Sequence, residues 1–295
     1  MGTSQGGRGG HQLRILVTGA GGQLGTDLVR AGGRHEMVAA TRAQLDGGDR
    51  EQVLAAVTST APDLIVHAAA WTAVDACEGE PERAYRVNAF GCRNVAEAAR
   101  LAGAHLVAVS TDYVFDGTKP DPYVEWDAPN PSSVYGRSKL AGEREITALL
   151  PDAAIVRTSW VCGRHGSNMV KTVLRLAAGD GLLHFVDDQH GCPTFTEDLA
   201  GLLLQLAVSR RPGVFHATNQ GATTWYRFAR DVVELAGHDP DRVRPIATAQ
   251  LDPPRPAPRP ANSVLDNAAL RMSGLALLPD HHEPLERTVK ALLDQ

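Results

Sequence analysis

The sequence predicts an α/β fold in which a doubly wound parallel sheet is joined to a smaller α/β C-terminal lobe. Apolar segments alternate with helical patterns through the first half, a glycine-rich turn follows the first apolar segment, and the alternation loosens beyond about residue 165. Strands that alternate with helices form βαβ units, whose right-handed crossovers make neighbouring strands parallel. These features together are typical of a Rossmann-like domain with a second, smaller lobe.

The first half contains apolar segments of strand length separated by segments with helical periodicity. The predicted strands are 13–20, 36–41, 63–70, 105–115 and 153–163. The predicted helices are 22–32, 50–60, 81–103 and one that begins near Tyr135.

The second half is predicted to form the smaller lobe, interleaved with the main sheet. Its predicted helices are 167–179, 196–209 and 225–237, and its predicted short strands are 183–188 and 213–219. The proline-rich segment 252–262 is interpreted as a stiff polyproline linker. The chain is therefore divided into a flexible tail over 1–12, a main domain over 13–165 and a lobe over 166–295.

Composition and charge argue against several classes of partner. The formal net charge of -5 gives no reason to expect nucleic-acid binding, and no apolar run is long enough to span a membrane. The cysteines are widely separated and have neither CxxC nor zinc-ligand spacing. Reduced thiols in a cytoplasmic protein are the simplest interpretation of Cys77, Cys92, Cys162 and Cys192.

The glycine-rich turn lies where an α/β sheet can bind a dinucleotide. Gly19, Gly22 and Gly25 have the spacing GxxGxxG between the first strand and the first helix, rather than the more familiar GxGxxG. Backbone must come close to a diphosphate there, and the free N–H groups of a helix N-terminus attract anions. Glycines also form tight turns, but this position in the fold favours dinucleotide binding.

The end of the second strand favours NADPH as the cofactor, with NADH still possible. A carboxylate there would bind the ribose hydroxyls of NAD and repel a 2′-phosphate, but the sequence has Thr41 and Arg42. A merely solvated Arg42 is the alternative. Asp46 begins the next loop and could contact adenine. The third strand ends in small side chains that leave room for a cofactor: Ala68, Ala69 and Ala70.

A threonine, a tyrosine and a lysine are expected to meet at a substrate carbonyl. Thr111 ends the fourth strand, where ligands gather on a parallel sheet. Tyr135 and Lys139 share a helix face, so the ammonium should lower the pKa of the phenol and hold the nicotinamide ribose. An isolated Tyr-Lys pair could be only a surface contact. Together with Thr111, the pair predicts that Tyr135 donates a proton to a carbonyl oxygen while the carbonyl carbon accepts a hydride. Because the glycine turn and the expected nicotinamide position both lie in the first half, we assign NAD(P) binding to 13–165 and substrate binding to 166–295.

Seven segments lie in order between residue 15 and about residue 267: GAGGQLG, AAAWTAVDACE, STDYVFDG, VYGRSKLAGE, VRTSWV, DDQHGCPT and RPANSVLDN. In these segments the chain resembles the extended short-chain dehydrogenase/reductase superfamily and, more narrowly, the dTDP-4-dehydrorhamnose reductase family. The resemblance implies reduction of the C4 ketone of a dTDP-4-keto-6-deoxyhexose, dTDP-4-dehydro-L-rhamnose, to dTDP-L-rhamnose with NAD(P)H.

The resemblance also implies roles for individual residues. The implied cofactor contacts are Gly22, Gln23, Leu24, Thr41, Asp46, Ala68, Ala69, Ala70, Tyr135 and Lys139. Among substrate contacts, Asp112 should approach the sugar, and Trp160 should pack on its ring or serve only as a core aromatic. Gln189 and Thr194 should line the sugar-nucleotide pocket. Arg259 is a candidate for the substrate diphosphate, because a guanidinium matches phosphate geometry; a purely structural role is the alternative for Gln189 and Arg259.

The same family implies an open question about metal and assembly. Some members dimerise around a divalent cation held by carboxylates, and Asp27, Glu197 and Asp294 stand at such positions. Two of them are Asp where the longer Glu is expected, and acids on helices are usually just solvated. We therefore expect no essential metal, with a Mg²⁺-assisted dimer as a minor alternative, and either a monomer or a homodimer.

Three other functions compete with this reduction. A dehydratase of this fold uses an Asp-Glu pair after the strand-end threonine, whereas here Tyr113 follows Asp112. A non-catalytic regulatory subunit would have no use for the Thr-Tyr-Lys set. A ketoreductase for another dTDP-deoxysugar of antibiotic biosynthesis, such as dihydrostreptose, stays open, because pocket differences worth a few kcal/mol decide the substrate.

Overall fold

The computed structural model describes residues 11–294, so the tail predicted over 1–12 lies almost wholly outside the described residues. The strands are β1 (Arg14–Thr18), β2 (Glu36–Ala40), β3 (Leu64–His67), β4 (His105–Thr111), β5 (Ala154–Thr158), β6 (Val161–Cys162), β7 (Leu183–Val186), β8 (His190–Gly191), β9 (Thr194–Phe195), β10 (Gly213–His216), β11 (Thr223–Thr224) and β12 (Val243–Ile246). The α-helices are α1 (Gln23–Ala31), α2 (Arg50–Thr60), α3 (Val74–Gly79), α4 (Pro81–Tyr85), α5 (Gly91–Ala102), α6 (Val134–Leu149), α7 (Met169–Ala177), α8 (Thr196–Val208), α9 (Trp225–Leu235), α10 (Ala268–Met272) and α11 (His282–Leu293).

Six parallel strands form the main sheet in the order β10-β5-β4-β3-β1-β2. At the carboxyl edge, Thr18 of β1 is in register with both Ala40 and His67. The winding reverses between β1 and β3, and the crevice at such a reversal is where open α/β sheets bind ligands. The predicted Rossmann-like parallel sheet is confirmed. Its last strand, β10, comes from the second half of the chain and pairs with β5.

Helices cover both faces of the sheet, which explains why its strands are continuous apolar runs rather than alternating patterns. On one face α1 packs against α8, with Leu28 and Leu203 fully buried between them and the sheet. On the other face α2, α5 and α6 pack in sequence, and Val53 and Ile146 belong to their shared core. The sheet is therefore buried on both sides, which leaves its edges as the places where a ligand can approach the strand ends.

The smaller lobe has its own core. Helices α7, α9 and α11 enclose it together with β7 and β12, which pair in parallel. Val173, Phe228 and Leu285 are fully buried there. No element is predicted from the sequence over α11, which buries Leu285 and Val289 on one face.

The helix predicted over 81–103 is present, and one π-helical turn at Arg86–Phe90 lies within it between α4 and α5. One local prediction is wrong. The segment 252–262 is not a linker, since Ala257 is buried and its N–H donates to the Asp75 carboxylate at 3.2 Å. There tertiary contacts outweigh local propensity.

Polar caps begin α6 and α9, two of the helices that carry site residues. The Ser133 hydroxyl accepts the N–H of Gly136 at 3.1 Å at the start of α6. The Thr224 hydroxyl accepts the N–H of Arg227 at 3.2 Å at the start of α9. Such caps satisfy N–H groups that the helix itself leaves free.

Within residues 11–294, no helix combines the length and the apolar character needed to cross a membrane.

Candidate active site

Two adjoining cavities open at the carboxyl edge of the sheet. The first, of about 450 Å³, lies over the ends of β1, β2 and β3, and the second, of about 420 Å³, lies over β4 and α6. Both are lined by residues of the glycine turn and of the β3 end: Gly19, Gly22, Ala68 and Ala70. An extended ligand can therefore run from one cavity into the other across the crevice.

Two glycines of the turn, Gly19 and Gly25, have no room for a side chain. Gly19 has a φ of 72°, and a Cβ there would lie 2.7 Å from the Ala69 backbone. A Cβ at Gly25 would overlap the Gly19 carbonyl oxygen. Helix α1 begins directly after Gly22 without a side-chain cap. Its first N–H groups are thus available to an anion, so these residues fit the diphosphate of a dinucleotide.

The first cavity fits the adenosine end of NADPH. Thr41, Arg42 and Asp46 line it, as the sequence predicts, and Ala69 joins them from the end of β3. Asp46 pairs with Arg86 at 3.2 Å. Arg86, in the π-helical turn, thus brings a positive charge to the first cavity, which the residues at the strand ends alone do not predict.

The second cavity brings together the three predicted reacting residues. Thr111, Tyr135 and Lys139 line it, together with Gln23 and Leu24 from the start of α1. Lys139 Nζ donates a hydrogen bond to the carbonyl oxygen of Val109 at 2.8 Å. This bond fixes the buried ammonium under the cavity.

The electrostatics of Tyr135 differ from the expectation. The sequence argument has Lys139 lower the pKa of the phenol, whereas burial raises the pKa of Tyr135 above its ordinary value. Contact with the Thr111 hydroxyl lowers it only in part, and the negative charge of Asp112 raises it further. The phenol is therefore fully protonated at neutral pH, but it is a weaker acid than the lowered pKa expected from Lys139 would make it.

Asp112 lies in the second cavity, only 2% exposed. One carboxylate oxygen accepts the Thr111 hydroxyl at 2.9 Å, whereas the other, Oδ2, has no hydrogen-bond partner among the described residues. Burial raises the pKa of Asp112 to about 6. An unpaired buried oxygen at the cavity wall can bind a ligand hydroxyl.

Trp160 lines the second cavity but is already paired. Its ring stacks on that of Trp225 with centroids 3.5 Å apart and an interplanar angle of 7°. Its backbone has a φ of 46°, and a Cβ on Gly191 would lie 2.5 Å from the indole. One face of Trp160 is therefore covered by protein, so at most the other face can meet a sugar.

The other predicted substrate residues do not line either cavity within the described part of the chain. Thr194 is completely buried in β9, and its N–H donates to the Trp160 carbonyl oxygen at 3.2 Å. Gln189 is also buried, and its amide donates to the Thr248 hydroxyl at 2.9 Å. Arg259 forms a two-point ion pair with Asp75, with both contacts at 2.8 Å.

The three carboxylates considered for Mg²⁺ do not meet within the described chain. Asp27 accepts the Thr196 hydroxyl at 2.5 Å, and Glu197 pairs with Arg287 at 3.3 Å. Asp294 is exposed just after α11.

Two groups near the site are missed by sequence reasoning. Tyr113 lines the second cavity and meets the Tyr135 ring edge to face, with centroids 5.5 Å apart. Beneath the cavity, Glu143 of α6 accepts two guanidinium bonds from Arg157 of β5, at 2.9 and 2.7 Å. Glu143 also accepts the Ser110 hydroxyl, so this buried network ties the Tyr135 helix to the strands that end at the site. A charged residue inside an apolar strand segment, such as Arg157, is the signal that could have revealed it.

Comparison with known proteins agrees with this geometry. A family model described as the RmlD substrate binding domain matches residues 13–293. The dTDP-4-dehydrorhamnose reductase of Mycolicibacterium smegmatis is 44% identical over 95% of this chain and 86% of its own length. A Streptomyces niveus protein named dTDP-4-keto-6-deoxy-D-glucose reductase is also 44% identical, over 89% of this chain and 91% of its own.

A solved structure of a protein with the same family name has the same fold. The dTDP-4-dehydrorhamnose reductase of Bacillus anthracis in complex with NADP superimposes with a TM-score of 0.91 at 37% identity. The match covers 95% of this chain and all of that one.

Proposed function

The chain belongs to the dTDP-4-dehydrorhamnose reductase family, and from that premise we propose that it reduces the C4 ketone of dTDP-4-dehydro-L-rhamnose to dTDP-L-rhamnose with NADPH. One observation carries the proposal: Thr111, Tyr135 and Lys139 line a cavity that adjoins the glycine turn. The hydrogen-bonding residues at the ketone thus lie beside the cofactor site. Bound NADPH supplies the hydride that reduces C4.

Tyr135 is the proton donor in this account. As the ketone carbon is reduced, negative charge develops on its oxygen, and the protonated phenol transfers its proton there to give the C4 hydroxyl. Thr111 donates a hydrogen bond to the same oxygen, which requires its hydroxyl to turn away from Asp112. Because Tyr135 is buried, water does not compete for this proton.

Lys139 orients the cofactor in this account. Its ammonium is anchored on the Val109 carbonyl oxygen and has two further N–H donors for the nicotinamide ribose.

The sugar is expected to lie against Asp112 and the open face of Trp160. The unpaired Asp112 oxygen can accept a sugar hydroxyl, and the indole offers an apolar surface to the ring. Roles for Gln189, Thr194 and Arg259 at the substrate remain predictions. Because Arg259 is paired with Asp75, a substrate diphosphate would have to share this guanidinium with Asp75 or displace the carboxylate from it. A monomer or homodimer and a cytoplasmic location likewise remain predictions.

A second candidate is reduction of another dTDP-4-keto-6-deoxyhexose. The Streptomyces niveus relative carries a different substrate name at the same identity as the rhamnose relative, so overall similarity does not separate the two. A regulatory subunit without activity is disfavoured by the intact set of proton donor, strand-end hydroxyl and lysine.

A substrate panel separates these functions. Purified protein is given NADPH and dTDP-4-keto-6-deoxyglucose, with and without a 3,5-epimerase, and the product is identified by NMR. Oxidation of NADPH only with the epimerase, giving dTDP-L-rhamnose, supports the first proposal. Oxidation without the epimerase assigns the chain to another deoxysugar. Failure to oxidise NADPH or NADH in both mixtures contradicts the rhamnose assignment.

A further inference from the structure

A histidine pair in the smaller lobe lies beside a carboxylate, away from both cavities of the active site. Asp231 belongs to α9, whereas His281 and His282 stand at the start of α11. One potential ligand atom from each of these side chains lies within 4.8 Å of the other two. Among residues 11–294, this is the one group of three or more His, Cys, Asp or Glu side chains with that spacing.

Both imidazoles are oriented by oxygen acceptors on the same ring nitrogen. His281 Nδ1 lies 3.2 Å from the Gln220 carbonyl oxygen, and His282 Nδ1 lies 2.6 Å from Asp280 Oδ1. An acceptor at Nδ1 places the proton there and leaves the Nε2 lone pair free. Histidines that bind metals are usually held by such a carbonyl or carboxylate.

The Nε2 atom of His281 has no partner. This residue is only 2% exposed, and Nε2 is a buried polar atom without a hydrogen bond among the described residues. Buried polar atoms are nearly always paired, because removing them from water without a partner is costly. A ligand that also binds His282 would satisfy this His281 nitrogen. The Nε2 atom of His282 lies 3.7 Å from Asp231 Oδ2.

We propose that Asp231, His281 and His282 form a binding site for Zn²⁺ or a similar borderline divalent cation. Two imidazole nitrogens and one carboxylate oxygen are ligands that Zn²⁺ prefers, and Mg²⁺ prefers an all-oxygen shell. Three protein ligands leave the fourth tetrahedral position to water. This site is separate from the proposed reduction and from the carboxylates considered for Mg²⁺.

The side chains can close to the required distances. Around Zn²⁺, with bonds of about 2.0 Å, ligand atoms stand roughly 3.3 Å apart, so the group must contract. His281 is held by its burial, whereas the side chains of His282 and Asp231 are 65% and 32% exposed. The exposed His282 ring stacks on His281 with centroids 4.1 Å apart, so it must turn until the Nε2 atoms of both rings point at one cation. The half-buried Asp231 then needs only a side-chain rotation to reach the same position.

Metal binding would join α9 to α11. These helices already pack against each other, and α9 begins at Trp225, which stacks on Trp160 at the active-site cavity. Since a ligand that binds only the folded state stabilises it, Zn²⁺ should raise the melting temperature.

The test uses the full chain, free of any affinity tag and stripped of metal with EDTA. Zn²⁺ is titrated by calorimetry, and thermal unfolding is followed with and without the ion. We expect one equivalent of Zn²⁺ to bind, and Tm to rise by about 5 °C when free Zn²⁺ exceeds Kd about 100-fold. The same concentration of Mg²⁺ should leave Tm unchanged.

Variants locate the binding. His282→Gln and Asp231→Asn should each weaken Zn²⁺ binding by about 10-fold or more, and Asp280→Asn should weaken it through the His282 orientation. Because His282 and Asp280 are exposed and Asp231→Asn keeps the side-chain volume, the metal-free variants should unfold near the wild-type Tm. His184→Gln, at an exposed histidine of β7, is the matched control and should bind like wild type. Absence of saturable binding, or binding that His282→Gln and Asp231→Asn leave unchanged, would overturn the proposal.

Discussion

Trp160 and Trp225 stack face to face, with ring centroids 3.5 Å apart, at the wall of the proposed substrate cavity. The first follows β5 and has a left-handed backbone conformation, and the second begins α9 of the smaller lobe. The pair therefore joins the sheet domain to the lobe where a sugar is expected to bind.

The stack gives the first prediction. Trp225→Ala should raise KM for the dTDP-sugar about 10-fold, because Trp160 loses the ring that holds its orientation. Steady-state kinetics at saturating NADPH measures this change. Trp225→Phe retains an aromatic face and should stay within about threefold of wild type. An unchanged KM in Trp225→Ala would show that the stack does not position Trp160.

Asp112 gives a prediction about stability and pH. Burial raises the pKa of this carboxyl to about 6 from 3.8, so the folded protein binds its proton more tightly than the unfolded chain does. The associated stability is therefore fully present below about pH 4 and is lost as pH rises through about 6. Two pKa units correspond to about 3 kcal/mol.

Asp112→Asn removes this ionisation and isolates its effect. The free energy of unfolding of the variant, relative to wild type, should increase by about 3 kcal/mol between pH 4 and pH 7. Urea unfolding at a series of pH values measures the difference. A difference that is constant across this range would contradict the burial of a charged Asp112.

Arg42 gives a prediction about cofactor choice. It is exposed at the rim of the first cavity, where the adenosine ribose of a dinucleotide is expected. Arg42→Glu should raise KM for NADPH about 10-fold or more through repulsion of the 2′-phosphate, with little effect on NADH. Arg211→Glu makes the same charge change at an exposed position outside both cavities and should leave both constants unchanged. Equal effects of the two variants would remove Arg42 from the cofactor site.

The Glu143–Arg157 pair gives a prediction about folding. Both side chains are almost fully buried, at 7% and 5% exposure, so removal of one leaves an unpaired charge in the core. Glu143→Gln should destabilise the protein by about 3–5 kcal/mol in urea unfolding, whereas the double variant Glu143→Met, Arg157→Met should recover most of this loss. A double variant no more stable than Glu143→Gln would mean that packing, not charge, dominates at this position.

Much of the fold follows from patterns that sequence reasoning can detect. The buried parallel strands are continuous apolar runs, and the glycine turn and the Thr111, Tyr135 and Lys139 positions follow from strand and helix ends. These features depend on local spacing and on the general geometry of parallel sheets.

Contacts between distant segments are the part of the structure that the sequence does not reveal. Thr194 pairs with Val161 between β9 and β6, and Gln189 donates to the Thr248 hydroxyl, which are both contacts that local spacing does not predict. The pairing of Arg259 with Asp75 and the Trp160–Trp225 stack join residues far apart in the chain. The raised pKa of Tyr135 depends on burial, which spacing alone does not reveal.

The most direct test of the central claim is the turnover of Tyr135→Phe, measured together with its NADPH binding. The phenyl ring preserves the cavity wall but cannot donate a proton. We predict that kcat with the dTDP-4-keto sugar falls by about 10²- to 10⁴-fold, while Kd for NADPH, from fluorescence titration, stays within about twofold of wild type. A variant that keeps more than about a tenth of wild-type kcat would contradict the assignment of Tyr135 as the proton donor.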